Sequence, residues 1–238
     1  MAMKGYLAMT AAEIANADAL PSALAWMACH FSPYGIGLSN CPKALPPKSL
    51  LIVDDITPIH GHDPNTIAGQ LTQCAKKLGC TGVLLDFQRA GNAETAALAA
   101  HLAAALPCPV AVSKPYAEDA GCPIFLPPAP VSVPLEEYLA PWHGREVWLE
   151  TALGRETIRL TETGAEFLPE MQADGGLTVH RENALRCHYS VAESADAVTF
   201  SLWRTREDLE ELMKQAEGLG VVNTVGLYQE LGRFMKNE

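Results

Sequence analysis

Short apolar runs alternate along this chain with segments of helical periodicity, which is the pattern of a mostly parallel sheet covered by helices. Runs at residues 24–29, 50–54, 82–87, 110–113, 123–126 and 146–150 predict strands. Pro64 suits a first helical turn and Gly79 a stop, so a helix is expected over residues 64–78. An alanine-rich helix is expected over 93–106, stopped by Pro107. About nine residues join the runs at 110–113 and 123–126, too few for a crossover helix. Pro127, Pro128, Pro130 and Pro134 then make a rigid connection, followed by a short helix over 135–141. Residues 157–161 alternate at period two and Asp174-Gly175-Gly176 is a turn signal, predicting a hairpin-like insertion between Thr157 and His188. Strands at 186–191, 197–203 and 221–228, with a helix over 207–217, complete the chain. With no internal repeat and no linker, residues 1–238 read as a single α/β domain.

Composition narrows the function classes. Of 238 residues, 48% are hydrophobic and 19% charged, enough apolar material for a sizeable core and against disorder. The formal net charge of −11 opposes nucleic-acid and anionic-membrane partners, which reward Lys and Arg. The start, Met1-Ala2-Met3-Lys4-Gly5-Tyr6, is not followed by an uninterrupted apolar run, and no stretch reaches membrane-spanning length. Seven scattered cysteines without a CxxC pair fit reduced thiols, so a cytoplasmic location is expected. There is no GxGxxG after a first strand, no Walker lysine and no GxSxG elbow, and no cofactor is implied.

One segment carries more specific chemistry. Cys80-Thr-Gly-Val-Leu-Leu-Asp-Phe-Gln88 resembles the DGxDxDxE strand of the family 18 glycoside hydrolases, in which the last Glu protonates the glycosidic oxygen. Residues 185–232 resemble the closing segment of that family, its spore-germination and cortex-lytic branch above all, in the order of a tyrosine-bearing strand, a second strand, a helix and a final strand. His30-Phe31-Ser32-Pro33-Tyr34-Gly35 is similar to the aromatic-rich loop after an early strand there. The resemblance implies a shortened or degenerate (β/α)8 barrel with a small β insertion in its C-terminal half. It also implies a site that takes an amino-sugar glycan or oligosaccharide. On it, Asp86 is the retained acid of the motif, while Thr81 and Leu84 replace two others and Gln88 stands where the proton donor belongs. Glu150 either matches the family's Tyr-Asp acid or is an ordinary strand-end charge. The closing Trp falls on Gln229, or on Tyr228 with a one-residue slip. The family's substrate supplies its own acetamido nucleophile, but a carboxamide cannot donate the proton.

Three readings follow: glycan binding without hydrolysis, hydrolysis with an acid relocated to Asp54, Glu150 or Glu230, and a protein-interaction domain. Asp55 ends the same strand as Asp54, where barrel ligands gather, and His30, Tyr34, Tyr228, Gln229 and Glu230 complete the candidate substrate contacts. His60-Gly-His62-Asp63 has the spacing of metal-dependent barrel hydrolases, although Pro58 and Pro64 bracket it as an exposed turn. No metal site is assigned. Trp26, Phe31, Tyr34, Trp148, Trp203 and Tyr228 are the aromatic residues from which two or three are expected to line a cleft.

Overall fold

The computed structural model describes residues 2–38, 41–42, 44–169 and 177–232. In chain order the first elements are β1 (Lys4–Met9), α1 (Ala11–Asn16), β2 (Leu24–Ser32), β3 (Gly35–Leu38), β4 (Leu50–Asp54), α2 (Pro64–Leu78) and β5 (Gly82–Asp86). Then come α3 (Ala93–Ala105), β6 (Val110–Ser113), α4 (Lys114–Ala120), β7 (Ile124–Leu126), α5 (Leu135–Leu139) and β8 (Val147–Thr151). The remainder is β9 (Arg155–Thr161), β10 (Gly164–Leu168), β11 (Val179–Glu182), β12 (Cys187–Glu193), β13 (Ala197–Trp203), α6 (Arg206–Gly218), β14 (Val221–Leu227) and α7 (Tyr228–Leu231).

Eight strands pair in parallel in the order β1, β14, β8, β7, β6, β5, β4, β2, and β2 pairs back with β1, so the sheet closes into a barrel. β3 adds antiparallel to β2. This is a (β/α)8 architecture with extra strands. Residues cluster into two compact units: one holds the chain up to Pro127, Gly144–Thr151 and the part from Val221 on, and the other holds Pro128–His143 and Ala152–Gly220.

Local chemistry explains the elements of the barrel unit. Asp63 caps α2 by accepting from the Thr66 amide at 2.9 Å, Pro64 opens the helix, and Gly79 closes it in the left-handed region at φ 73°. Asn92 caps α3 in the same way through the Thr95 amide at 2.8 Å. Strand runs such as Leu50-Leu-Ile-Val are buried on both faces, as parallel strands under helices must be. Alternate residues point into the barrel: Leu50 and Ile52, Leu84, Ala111, Phe125, Trp148, Val225, Tyr6 and Ala8, and Ala25 form one core. Trp148 is its largest member and is 1% exposed. Gly82 makes room for Leu50 beside it. A Cβ there would lie 2.9 Å from Leu50 Cδ2 and 3.6 Å from the Trp148 ring.

The second unit is a five-stranded antiparallel sheet in the order β10-β9-β13-β12-β11, with α5 and α6. Its small core joins Val131, Cys187 and Leu202 to Ile158, Leu185, Tyr189 and Phe200. The proline-rich segment is fastened there by hydrogen bonds. Glu156 accepts from the Val131 and Ser132 amides at 2.8 and 3.0 Å, and the buried Arg204 donates to the Ala129 and Pro130 carbonyls at 2.8 and 2.9 Å. Thr205 caps α6 in a capping box with Asp208, whose carboxylate also accepts from His188 at 2.8 Å and Arg181 at 3.2 Å.

Several expectations change. The first barrel strand is Lys4–Met9, not the run at 24–29, so every barrel strand moves up one place in the count. A helix does fit between β6 and β7, because α4 needs only seven residues and starts directly at the strand end. β12 and β13 do not close the barrel. They belong to the antiparallel sheet, and only β14 of the expected closing segment is a barrel strand. That strand ends at Leu227, and Tyr228 opens a short helix. The turn at Asp174-Gly175-Gly176 lies outside the described residues.

Trp148→Ala should destabilise the protein by about 3–5 kcal/mol, the usual range for emptying a large aromatic site. Urea unfolding monitored by circular dichroism checks this, and a loss below about 1 kcal/mol would contradict the assigned core.

Candidate functional site at the barrel mouth

The two-residue alternation that fills the barrel also builds its mouth. One step beyond Ile52, Leu84, Ala111 and Trp148 come Asp54, Asp86, Ser113 and Glu150, at or near the C-terminal strand ends. Ligand-facing residues of such barrels gather at this end. His30 joins them through an irregularity. The β2–β4 register shifts between Trp26 and Cys29, so that Ala25 pairs with Leu50 but His30 pairs with Asp54. A bulge of this kind re-aims the side chains that follow it.

Gln88 lies two residues beyond the end of β5 and is exposed. Its side-chain amide donates a short hydrogen bond to Asp86 Oδ1. The Ser113 hydroxyl lies 3.2 Å from the same oxygen and 3.1 Å from the Leu85 carbonyl. The loop carrying Gln88 is pinned from both sides. Asp55, 3% exposed, accepts from the Gln88 amide N–H at 2.8 Å and the Arg89 N–H at 3.0 Å. Tyr116 donates its hydroxyl to the Arg89 carbonyl at 3.0 Å, and Arg89 donates to the Ile56 carbonyl at 2.9 Å. Beneath the loop, Phe87 packs edge-on between Phe31 and Tyr116, with ring centroids 5.8 and 6.0 Å away. Asp55 is therefore not a ligand-facing residue. Its carboxylate is occupied in fixing the backbone that presents Gln88.

Burial first, and neighbouring charge second, raises the pKa values of Asp54, Asp86 and Glu150. Burial pushes Asp86 up, the Asp55 charge adds to this, and the hydrogen bonds from Gln88 and Ser113 oppose it. Asp54 is also raised, first by burial and further by Asp86 and Asp55, against the Ile56 N–H and His30. Glu150 moves furthest, to about 7, through burial and then the charges of Asp86 and Glu230. Asp54, Asp86, Glu150 and Glu230 thus form one electrostatically linked set, and Glu150 holds a proton for about half the time near neutrality.

The other candidates separate. Tyr34, in the β2–β3 turn, is 94% exposed and offers a free ring face. Tyr228 borders a shallow pocket with Ala12, Glu13 and Asn16 of α1 and the following Ala17, while Gln229 is exposed on α7. Trp26, Phe31 and Trp148 are core residues at 0–1% exposure, and Trp203 stacks on His188 in the second unit. Of the six aromatic candidates, Tyr34 and Tyr228 remain for the barrel unit. His60 pairs with Glu94 at 3.0 Å, His62 packs on Phe31, and Asp63 caps α2, so the three do different jobs. Glu150 sits on the seventh barrel strand rather than the sixth. Ser113 and Tyr116 were not singled out by pattern. Only the inward register of Val110–Ser113 could have indicated Ser113.

No family model and no curated protein matches the sequence. Solved structures do match. A chitinase from Chromobacterium violaceum aligns at a TM-score of 0.59 and 11% identity, over 96% of this chain and 94% of the other. The Bacillus cereus spore cortex-lytic enzyme SleL aligns at 0.58 and 10%, over 94% of this chain and 70% of the other. A family 18 chitinase from Cycas revoluta, in complex with (GlcNAc)3, aligns at 0.57 and 11%, over 94% of each chain. The fold is that of the family 18 glycoside hydrolases. At such identity the likeness carries the fold alone, and the chemistry must be argued from the mouth itself.

Two outcomes follow from this geometry. Asp55→Ala should lower stability by about 1–3 kcal/mol, since it leaves two part-buried amides without their charged acceptor; thermal or urea melts check it, and a neutral result would contradict the clamp. For Glu150 the native pKa, about 7, lies above the ordinary 4.5. Its contribution is intact below about 4.5 and is lost as pH rises through about 7, because the unfolded chain releases the proton first. The melting temperature of Glu150→Gln minus that of the wild type should therefore grow with pH across that window and level off above it. A difference that shrinks with pH would contradict the placement of Glu150.

Proposed function

We propose that the barrel mouth binds an N-acetylated amino-sugar glycan without hydrolysing it. The observation that carries this reading is Gln88. It is held by the Asp55 clamp and bonded to Asp86, at the motif position where family 18 places its proton donor. A carboxamide has donors and an acceptor for sugar hydroxyls but no transferable proton. Loss of a positioned general acid removes roughly 10²–10⁴ in rate. The (GlcNAc)3 complex of the Cycas revoluta chitinase supports a ligand of this class, and the likeness to SleL supports a role connected with the spore cortex. A cytoplasmic location belongs to the same proposal and rests on the cysteine usage.

A second reading draws on Glu150. With a pKa of about 7 it carries a proton at the pH where a general acid works, and it shares the mouth with Asp86. Glu150 would then donate in place of the missing acid.

Chromogenic chito-oligosaccharides separate the two. The wild type should release no chromophore above buffer, while calorimetry detects (GlcNAc)4 binding. Gln88→Glu should bring weak hydrolysis, because Asp86 on the same face raises the new acid's pKa and the nucleophile comes from the substrate. Turnover by the wild type that disappears in Glu150→Gln would establish the second reading. Absence of both binding and turnover would discard the glycan function for the protein-interaction reading.

A further inference from the structure

The strand registers of the second unit's antiparallel sheet separate two faces. One is polar: Thr157, Ser201 and Ser190 lie side by side on it, and Asp208 of α6 bonds His188 and Arg181. The other is apolar. Val191, Phe200, Ile158 and Phe167 form a row across β12, β13, β9 and β10, and Val198 and Leu160 follow two residues further along. Val131 packs with Cys187 and Leu202 at one end of this face, where Glu156 also holds the Val131 and Ser132 amides. The other end is open, with Phe167 66% and Leu160 41% exposed.

Acids surround the open end. Glu162 in the β9–β10 turn and Glu193 at the end of β12 are exposed, as is Asp196 in the β12–β13 turn. The two turns are neighbours, because Ala197 pairs with Thr161. Arg159, 3.4 Å from Asp196, belongs to the polar face. A sheet face offers apolar contact but no free backbone groups, so its occupant must satisfy its own backbone hydrogen bonds, as a helix does. The β10 edge is guarded against strand addition by Glu166 and by Pro169 just past its end. The acidic rim then sets the sign of the partner. A second copy would bring the same acidic turns and a further net charge of −11, and an anionic membrane would be repelled. Lys or Arg flanking the apolar side of a helix would instead meet opposite charge.

We propose that this face docks a basic amphipathic helix of a partner protein, with its apolar side against Phe167 and Leu160 and its cations toward Glu162, Glu193 and Asp196. The inference is independent of what the barrel mouth binds. The probe is a synthetic, fluorescein-labelled peptide in which Leu recurs at i, i+3, i+4 and i+7 among Lys. One control carries Glu in place of Lys, and another has its order scrambled so that the Leu side chains no longer share a face. Fluorescence anisotropy with the full chain should show saturable binding of the probe and of neither control. Phe167→Ser should weaken binding by about tenfold or more, as loss of an aromatic anchor does. Glu162→Gln with Glu193→Gln should weaken it by about three- to fivefold and flatten its salt dependence. Melting curves confirm that these surface variants are folded. Binding that survives Phe167→Ser places the peptide elsewhere and overturns the proposal, as does equal binding of the scrambled peptide or no saturable binding of the probe. In sedimentation velocity the chain alone should be a monomer; a dimer that dissociates in Phe167→Ser would make a second copy the occupant and overturn the proposal too.

Discussion

A parallel strand closed into a barrel gives each inward side chain a neighbour two residues away on the same face, and that constraint governs this molecule. The interior below the mouth is filled to closure by Trp148, Phe125 and the aliphatic layer around them. The next inward positions are polar and buried or half-buried. They carry Asp54, Asp86, Ser113 and Glu150. Packing and chemistry are thus successive floors of one structure. The strain of placing several carboxylates together is relieved by proton uptake at Glu150 and by hydrogen bonds from Gln88 and Ser113 to Asp86.

Gln88 acquires meaning from what holds it. An exposed glutamine on a loose loop would offer nothing specific to a ligand. Here Asp55 takes the amides of residues 88 and 89, Tyr116 bonds the following carbonyl, and Phe87 anchors the loop among aromatic rings. Such support fixes the backbone at the cost of one buried carboxylate. A rigid mouth without a strong proton donor is suited to holding a sugar. Glu150 is the group through which chemistry could return.

Much of the barrel could be read from the sequence where a strand is apolar on both faces. Leu50–Asp54 and Val110–Ser113 are such strands, and α2 is bounded by an Asp-Pro start and a glycine stop. β1 escaped because Lys4-Gly-Tyr-Leu-Ala-Met is short, opens with two exposed residues and contains a glycine. β12 and β13 have good strand patterns, but pattern does not say which sheet a strand joins. At the site, Asp86, Gln88 and Glu150 were legible because strand-end acids and a motif mark them. The role of Asp55 was not, since only the fold shows that Asp55, just past the end of β4, is turned toward the 88–89 amides. The bulge that brings His30 level with Asp54 leaves no trace in hydrophobic pattern either.

The central claim is that an amino-sugar chain rests against the Gln88 amide at the mouth of this barrel. Heteronuclear NMR of the 15N-labelled protein, titrated with (GlcNAc)4, reports on that amide directly. The account predicts saturable shifts of the Gln88 side-chain NH2 pair together with backbone amides in the loops after β4, β5 and β8. Shifts confined to surfaces away from those loops, or none at millimolar ligand, would contradict it.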